Sequence, residues 1–418
     1  MKNLPVLVIG AGVAGLSAAT SLRAAGIDCV VVEAANRVSG RAYTTRIGHH
    51  AFDHGASWLH AAARNPIADF ARAAGCKLIN ADHVRTRRVM IGHDIATPAQ
   101  LAERAKAYEH FEKMAGAETR DIAIANAIAP LRADPWTASI EAWEACQIAA
   151  ADPDDLSVID WRCNELEGEN LHISGGIGHF VATTLAENAG PISLNTEVSA
   201  IDWSGEIVAT TQAGDISASA CVITVSTAAA KRIRFTPVLP NTHAEALGNL
   251  PMGLLTKIVL RATGPDRLGL RPDESVTARI ARGEPMLSLL AWPSGADHVV
   301  AFIGGPPAWE LASQGEAATI SYVRQRLHTW FGDRANNALG EAIVTDWHND
   351  PLHGGAYAYA RAGHANSRAI LATPMANGRL IFAGEATAQN GLAGTVGGAW
   401  NEGQRAAAIA AAARSHPS

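Results

Sequence analysis

Gly10, Gly12 and Gly15 stand in the spacing G-x-G-x-x-G, and the carboxylate of Glu33 follows about 20 residues on. Together these groups can hold the diphosphate and one ribose of a dinucleotide. The first glycine permits a tight turn, the second lets the backbone approach the pyrophosphate, and the third lets helix and strand pack closely. A helix opening at Ala14 offers free N–H groups to the anion. Glu33, followed by Ala34, ends a strand where a carboxylate can accept from a ribose hydroxyl. A glycine-rich turn without a ligand would leave the ordered series of strand, glycines, helix, strand and acid unexplained. In Arg37-Val38-Ser39-Gly40-Arg41 two guanidinium groups follow at once, and both can neutralise a pyrophosphate with bidentate geometry.

Those groups need strands and a helix to hold them. Leu4–Ile9 is continuously apolar and reads as a buried parallel strand. Ala14–Ala25 reads as a helix of small residues ended by Gly26, and Cys29–Glu33 as a second buried strand. A βαβ start of this kind predicts an α/β fold with a doubly wound sheet. Thr97 can cap a helix running to about Arg132, with Pro98 in its first turn and Leu101, Tyr108, Phe111 and Met114 on one face. Asp134-Pro135 restarts a helix to Ala151, and Asp152-Pro153 stops it. Strands return at Ile192–Ile201 and Glu206–Ala220, with a turn at Ala213-Gly214-Asp215, and at Cys221–Val225. Lys257–Arg261, Met286–Trp292 and His298–Ile303 suit a second sheet. Ser321–Phe331 reads as a helix, Leu380–Ala383 as a last buried strand, and Val396 to about Ala412 as a final helix. The expected organisation is two interleaved domains. Residues 1–80, 166–240 and 375–418 form the nucleotide domain; 81–165 and 241–374 form the substrate domain, with a helical insertion at 97–151.

The 418 residues are 48% hydrophobic and 18% charged, which predicts a globular chain long enough for two cores. A formal net charge of -6 disfavours a nucleic-acid partner, which would reward a basic face. Cys29, Cys76, Cys146, Cys163 and Cys221 show no C-x-x-C spacing, so reduced packing residues are expected, with no metal site and no disulfide framework. The apolar run Leu4–Ile9 is too short for a signal peptide, and no run of about 18 apolar residues occurs. A cytoplasmic protein without a membrane anchor is the expectation.

Further motifs carry a likeness to a known family. The run Arg37–Arg41 resembles the R-x-G-G-R motif of flavin-containing amine oxidases, with Ser39 replacing one glycine. Asp53-His54-Gly55-Ala56-Ser57-Trp58-Leu59-His60, with Asn65-Pro66-Ile67, is similar to the segment that passes along the flavin in polyamine oxidases and lysine-specific histone demethylases. Ile173–Gly178 and Leu194–Ile201 resemble the family's second nucleotide-domain segment. Phe235–Pro240 matches the loop into the substrate domain, and Met252 through Lys257 the stretch that carries the family lysine. Trp347, Asp350-Pro351 and Gly355-Ala356-Tyr357 match its tryptophan and G-x-Y segment. Phe382–Glu385 and Gly394–Ala399 match its C-terminal flavin motif. The likeness is closest to the polyamine oxidase and demethylase branch, and the helical insertion is its least similar part.

The resemblance implies a Rossmann-like FAD-binding domain interleaved with an α+β substrate domain, the FAD fold shared by amine oxidases and glutathione reductase. Arg41 would contact the phosphates, and the backbone of Val198 the adenine. Gly55, Ala56, Ser57 and Trp58 would run beside the isoalloxazine. Gly384 and Glu385 would reach the ribityl chain. Thr395 and Val396, at a helix N-terminus, would stabilise negative charge at the flavin N1–O2 edge. Lys257 would hold a water near N5; its alternative is a surface lysine. Trp347, which also faces the flavin, and Tyr357 would wall the substrate channel; their alternative is ordinary aromatic core. Thr395 replaces the second tyrosine of an aromatic cage, and Ala356 replaces the cysteine of covalent members, so noncovalent FAD is implied. His60 matches a histidine near the channel, though a lone histidine is more often structural. Glu165, Glu167 and Glu169 could draw in a distant ammonium group or be a solvated run.

By that likeness, hydride passes from the carbon beside a neutral nitrogen to flavin N5. The imine formed hydrolyses to an aldehyde, and molecular oxygen is returned as hydrogen peroxide. A polyamine-like substrate leads. The alternatives are a cyclic or alkaloid amine, an amino acid held through Arg85, Arg87 or Arg88, and a non-amine substrate of a flavin desaturase or dehydrogenase. A chromatin demethylase is disfavoured, because the chain has neither a long coiled coil nor a basic patch.

Overall fold

The computed structural model describes residues 4–82, 87–164, 166–389 and 391–415. Five parallel strands make the first sheet, in the order Leu380–Phe382, Ala220–Ile223, Val6–Ile9, Cys29–Val32, Ile192–Ser193. Val6 pairs with both Ala220 and Cys29, so the first strand lies at the sheet's centre. Its apolar run is continuous because both faces are covered. Val6 and Val8 enter one core cluster, Leu7 and Ile9 another, as the two-residue period of a strand requires. Helix Val13–Ala24 packs on the C-terminal helix Val396–Ser415 through small side chains, and the Ser17 hydroxyl donates to the Trp400 carbonyl at 2.7 Å.

A four-stranded sheet joins Gly214–Ala218, Ile207–Thr211, Val198–Asp202 and Arg234–Thr236. A seven-stranded sheet runs Leu339–Val344, Leu255–Ala262, His298–Gly304, Ser288–Ala291, Ser275–Ala278, Arg87–Ile91, Asp94–Ile95. Among the described residues no helix is long and apolar enough to cross a membrane.

Several elements differ from the sequence reading. Ile192–Ile201 is two strands in different sheets, because Asn195 adopts φ +52° and turns the chain between them. The turn after Thr211 is Gln212-Ala213; Gly214 and Asp215 already pair in the next strand, and the Thr211 hydroxyl accepts from Ala213 N–H at 3.1 Å. The helix capped by Thr97 runs only from Pro98 to Ala117. There the Glu118 carboxylate accepts from the N–H groups of Thr119 and Arg120, at 3.0 and 2.9 Å, and the chain leaves the helical path. Phe111 on this helix is buried, but Leu101 is exposed. The following segment is helical only over Thr137–Glu141 and continues as a π-helical stretch, Ala142–Ile148.

Candidate active site

A cavity of about 940 Å³ joins the glycine loop to the helical block. Three groups of residues line it: the loop with Glu33, Ala34 and Val198; the segments around Gly55, Lys257, Trp347 and Thr395; and Tyr108, Trp143, Glu144, Ile148 and Trp161.

The glycine loop is built as its spacing requires. A Cβ on Gly15 would stand 1.8 Å from the Gly10 carbonyl oxygen, whereas one on Gly12 would meet nothing within 4 Å. Gly12 therefore opens its backbone to the cavity, and Ala14 in the first helical turn lines it too. Glu33 accepts from Ala11 N–H at 2.7 Å and from Ala35 N–H at 2.8 Å, which holds its carboxylate against the loop. Ser39, where the family motif has glycine, sits at φ +76°, a left-handed conformation that glycine adopts without strain.

The two arginines part company. Arg41 lines the cavity and donates to the Glu385 carboxylate at 2.7 Å and the Ala356 carbonyl at 2.9 Å. Arg37 instead donates to the Gly40 carbonyl at 2.7 Å and lies 4.0 Å over the Tyr43 ring, so it braces its own loop. Glu385 is buried and also accepts from Ala358 N–H at 3.2 Å. Gly384 beside it has φ +145° and lines the cavity.

Lys257 is not a surface lysine. It sits mid-strand, is 4% exposed, and sends its side chain to the segment after Asp53. Its ammonium donates to the carbonyls of Asp53 and Gly55, at 2.7 and 2.6 Å, and to the Ser57 hydroxyl at 2.5 Å. Burial lowers its pKa to about 8, opposed by the Asp53 carboxylate. That carboxylate accepts from the Thr44 hydroxyl and from the N–H groups of Ile177 and Gly178, and burial raises its own pKa. Gly55 is packed so closely that a Cβ would stand 1.8 Å from the Arg41 carbonyl oxygen and 3.2 Å from the Trp347 ring.

The aromatic residues are tied down. Trp347 donates from its indole to the His54 carbonyl at 3.1 Å. The Tyr357 hydroxyl donates to the Ile148 carbonyl at 2.8 Å, and its ring lies against Gly394. Burial, then the Glu385 carboxylate, push the Tyr357 phenol well above its usual range. Trp58 packs between His172 and Phe302. His60 also lines the cavity, with Nδ1 2.8 Å from Asn170 Oδ1 and its ring stacked on Trp58. The Thr395 hydroxyl caps the C-terminal helix: it accepts from Gly398 N–H at 3.0 Å and donates to the Leu392 carbonyl at 2.7 Å. Thr395, Val396, Ala56 and Ala356 all face the cavity.

The two described acids of the run have different surroundings. Glu167 lines the cavity, Glu169 is exposed and accepts from Asn80 at 2.9 Å, and Glu165 lies outside the described residues. Arg85 and the side chain of Arg87 are likewise outside them. Arg88 is turned to Glu274, its Nε donating at 2.8 Å.

Sequence reasoning missed the wall formed by the helical block, where Glu144 accepts from the Trp161 indole at 3.1 Å and from the Tyr108 hydroxyl. It also missed the buried pair of Arg368 and Asp160 at the cavity wall. A lone arginine in the short apolar helix Ser367–Ala372 was the available signal, since a buried charge requires a partner.

Comparison with known proteins agrees with this geometry. The profile of the flavin-containing amine oxidoreductase family matches residues 13–411. Polyamine oxidase 4 of Oryza sativa subsp. japonica is 27% identical over 96% of this chain and 87% of its own length. Lysine-specific histone demethylase 1 homolog 2 of Arabidopsis thaliana is 27% identical over 96% of this chain, which spans only 58% of that protein. Among solved structures, cyclohexylamine oxidase from Brevibacterium oxydans IH-35A superposes with a TM-score of 0.79 at 22% identity, covering 98% of this chain and 99% of that one. Putrescine oxidase bound to putrescine does so with 0.78 at 20% identity and the same coverage. With the profile spanning nearly the whole chain, this protein belongs to the flavin-containing amine oxidoreductases and is a flavin-dependent enzyme of the amine oxidase class.

Proposed function

We propose that the protein is an FAD-dependent oxidase of a polyamine-like substrate. The observation that carries the reading is the wall contributed by the helical block. Glu112, Glu144 and Glu167 line the cavity together with Tyr108, Trp143 and Trp161, and Arg368, which lines it too, is forked to Asp160 on the helix that carries Trp161. Such a wall suits a cation with an aliphatic stem and disfavours a substrate carboxylate. Arg88, the described candidate for binding an amino-acid carboxylate, is already bonded to Glu274.

The lining fits FAD. Two helix N-termini, at Val13 and Val396, open on the cavity and offer N–H groups and positive dipole ends to anionic parts of a ligand. Gly10, Gly12, Ala14 and Arg41 would hold the pyrophosphate, with Gly15 packing the helix against the loop behind them, Glu33 and Ala34 the adenosine ribose, and Val198 the adenine. Gly55, Ala56, Ser57, Trp58, Trp347, Gly384, Glu385, Thr395 and Val396 would hold the flavin half. Ala356 offers no nucleophile, so attachment is noncovalent; acid precipitation should leave the yellow colour in solution, and colour on the pellet would refute this. Residues 1–80, 166–240 and 375–418 would form the FAD domain, and 81–165 with 241–374 the substrate domain.

When bound, FAD supplies the acceptor for the hydride leaving the carbon beside the substrate nitrogen, with molecular oxygen as final acceptor and hydrogen peroxide as product. The chain must present the amine uncharged. For an alkylamine of pKa about 10.4, deprotonation near pH 7.4 costs roughly 4 kcal/mol. Desolvation in the space walled by Trp347, Tyr357 and Trp58, and the like charge of Lys257, lower that cost, while the acids hold a remote ammonium. His60 orients the wall beside Trp58. Lys257 keeps positive charge and a proton at the centre of the site. Peroxide release from a panel of polyamines, monoamines, amino acids and alkaloids tests the substrate class; turnover of amino acids alone would refute it. Lys257→Met should slow flavin reduction and reoxidation, and wild-type rates in both would remove Lys257 from the chemistry.

A further inference from the structure

An ammonium has three N–H donors, and Lys257 directs its three at the Asp53 carbonyl, the Gly55 carbonyl and the Ser57 hydroxyl. All three acceptors belong to the segment after Phe52, and Gly55, Ser57 and Lys257 itself border the cavity. A carbonyl oxygen accepts a hydrogen bond but has no proton of its own to pass on. A hydroxyl can take a proton on a lone pair while releasing another. The rings of Phe52, Trp58 and Phe302, at 5.8, 5.8 and 6.0 Å from Nζ, carry no proton to a partner on that side.

We propose that Ser57 is the positioning residue of Lys257, and that its hydroxyl is the route by which the buried amine exchanges its proton with the cavity. This rests on the reading of Lys257 given above. In the charged state Ser57 Oγ accepts from Nζ. Among the described residues its own proton then has only the Gly55 carbonyl at 3.3 Å and the Asp53 carbonyl at 3.4 Å, both long, so it is available to a cavity water. On deprotonation an Nζ–H bond breaks, that proton passes to Oγ, and the hydroxyl's former proton leaves to the water. The amine becomes neutral, the water becomes hydronium, and no electron moves. Once neutral, Nζ accepts from the rotated hydroxyl. Among the described residues two other titratable groups face this centre. The Asp53 carboxylate is occupied by Thr44, Ile177 and Gly178. His54, whose pKa burial and then the Lys257 charge lower to about 4, is neutral wherever Lys257 titrates.

The chain has six lysines, so ¹³Cε-lysine labelling of the FAD-loaded enzyme gives a spectrum in which Lys257 is assigned by Lys257→Met. Ser57→Ala removes an acceptor of the charged form and should lower the Lys257 midpoint by about one pH unit. Exchange of the Nζ protons with solvent should slow by about tenfold. Ser57→Thr, which keeps a hydroxyl, should restore both. An unchanged midpoint and exchange rate in Ser57→Ala would overturn the proposal, as would the same losses in Ser57→Thr. None of these readouts needs amine turnover. Normal half-reactions in Lys257→Met would instead overturn the catalytic reading and leave the titration interpretable.

Discussion

Asp160→Asn tests the ion pair that ties the helical block to the C-terminal flavin segment. Arg368 Nε donates to Asp160 Oδ1 at 2.7 Å and Nη2 to Oδ2 at 2.9 Å, in a fork, and the side chains are 7% and 5% exposed. The same guanidinium donates to the carbonyls of Ala386 and Ala358, at 3.1 and 2.9 Å, while Asp160 accepts from Ala360 N–H at 2.9 Å. Ala358 N–H in turn bonds Glu385, the partner of Arg41. Replacing one buried charge leaves the other without compensation, a loss of about 3–5 kcal/mol, against a total stability of roughly 5–15 kcal/mol. Neutralising both residues in Asp160→Asn/Arg368→Met removes the stranded charge. The double variant should therefore be more stable than the sum of the single effects predicts, by about 2 kcal/mol. Urea unfolding of the FAD-loaded protein, followed by fluorescence and circular dichroism together, measures each term. Because the pair borders the cavity proposed to hold FAD, Asp160→Asn should also release FAD at lower urea than the wild type. A cost below about 1 kcal/mol, or strict additivity, would show that solvent reaches the pair and refute the reasoning.

Other outcomes follow from the same physics. Lys257 holds its proton with a pKa of about 8 when folded, against 10.5 as its ordinary value, so the unfolded chain binds more protons between those pH values. Wild-type stability relative to Lys257→Met should therefore rise by about 3 kcal/mol as pH climbs from 8 to 10.5; a constant gap in urea titrations would contradict it. His298, buried between His50 and Phe52, has a pKa lowered to about 4 by burial, then by His50. Its contribution is whole above pH 6.5 and is lost as pH falls through that value toward 4, about 3 kcal/mol that His298→Phe should not lose; parallel pH profiles for the two proteins would rule it out. Gly55→Ala places a Cβ 1.8 Å from the Arg41 carbonyl and must shift the segment beside Lys257. The Kd for FAD, read by fluorescence titration of the apoprotein, should rise about tenfold or more, and an unchanged value would show that the loop yields cheaply.

The glycine loop and the first two strands could be read directly, because each requirement lies within a few residues of the next along the chain. The helical block could not. Amphipathic spacing does not say where a helix stops, and the end at Ala117 depends on the Glu118 carboxylate taking the next N–H groups. Leu101 follows the same apolar rhythm as Phe111, yet one is exposed and the other buried, since only packing selects which part of a stripe is covered.

Residue order alone therefore settled the α/β class, the glycine turn between the first strand and its helix and, through family motifs, a flavin enzyme. It did not settle which charges are spent on the fold and which face the ligand. Arg41 and Arg37 are four positions apart in similar company, but one turns to Glu385 across the chain and the other to its own loop. Lys257 finds its acceptors near residue 55, and Arg368 finds Asp160, 208 positions earlier. Local pattern is governed by the next turn or the next strand position. A buried charge is governed by whichever distant segment the packing brings within hydrogen-bond reach, and only the folded chain makes that choice.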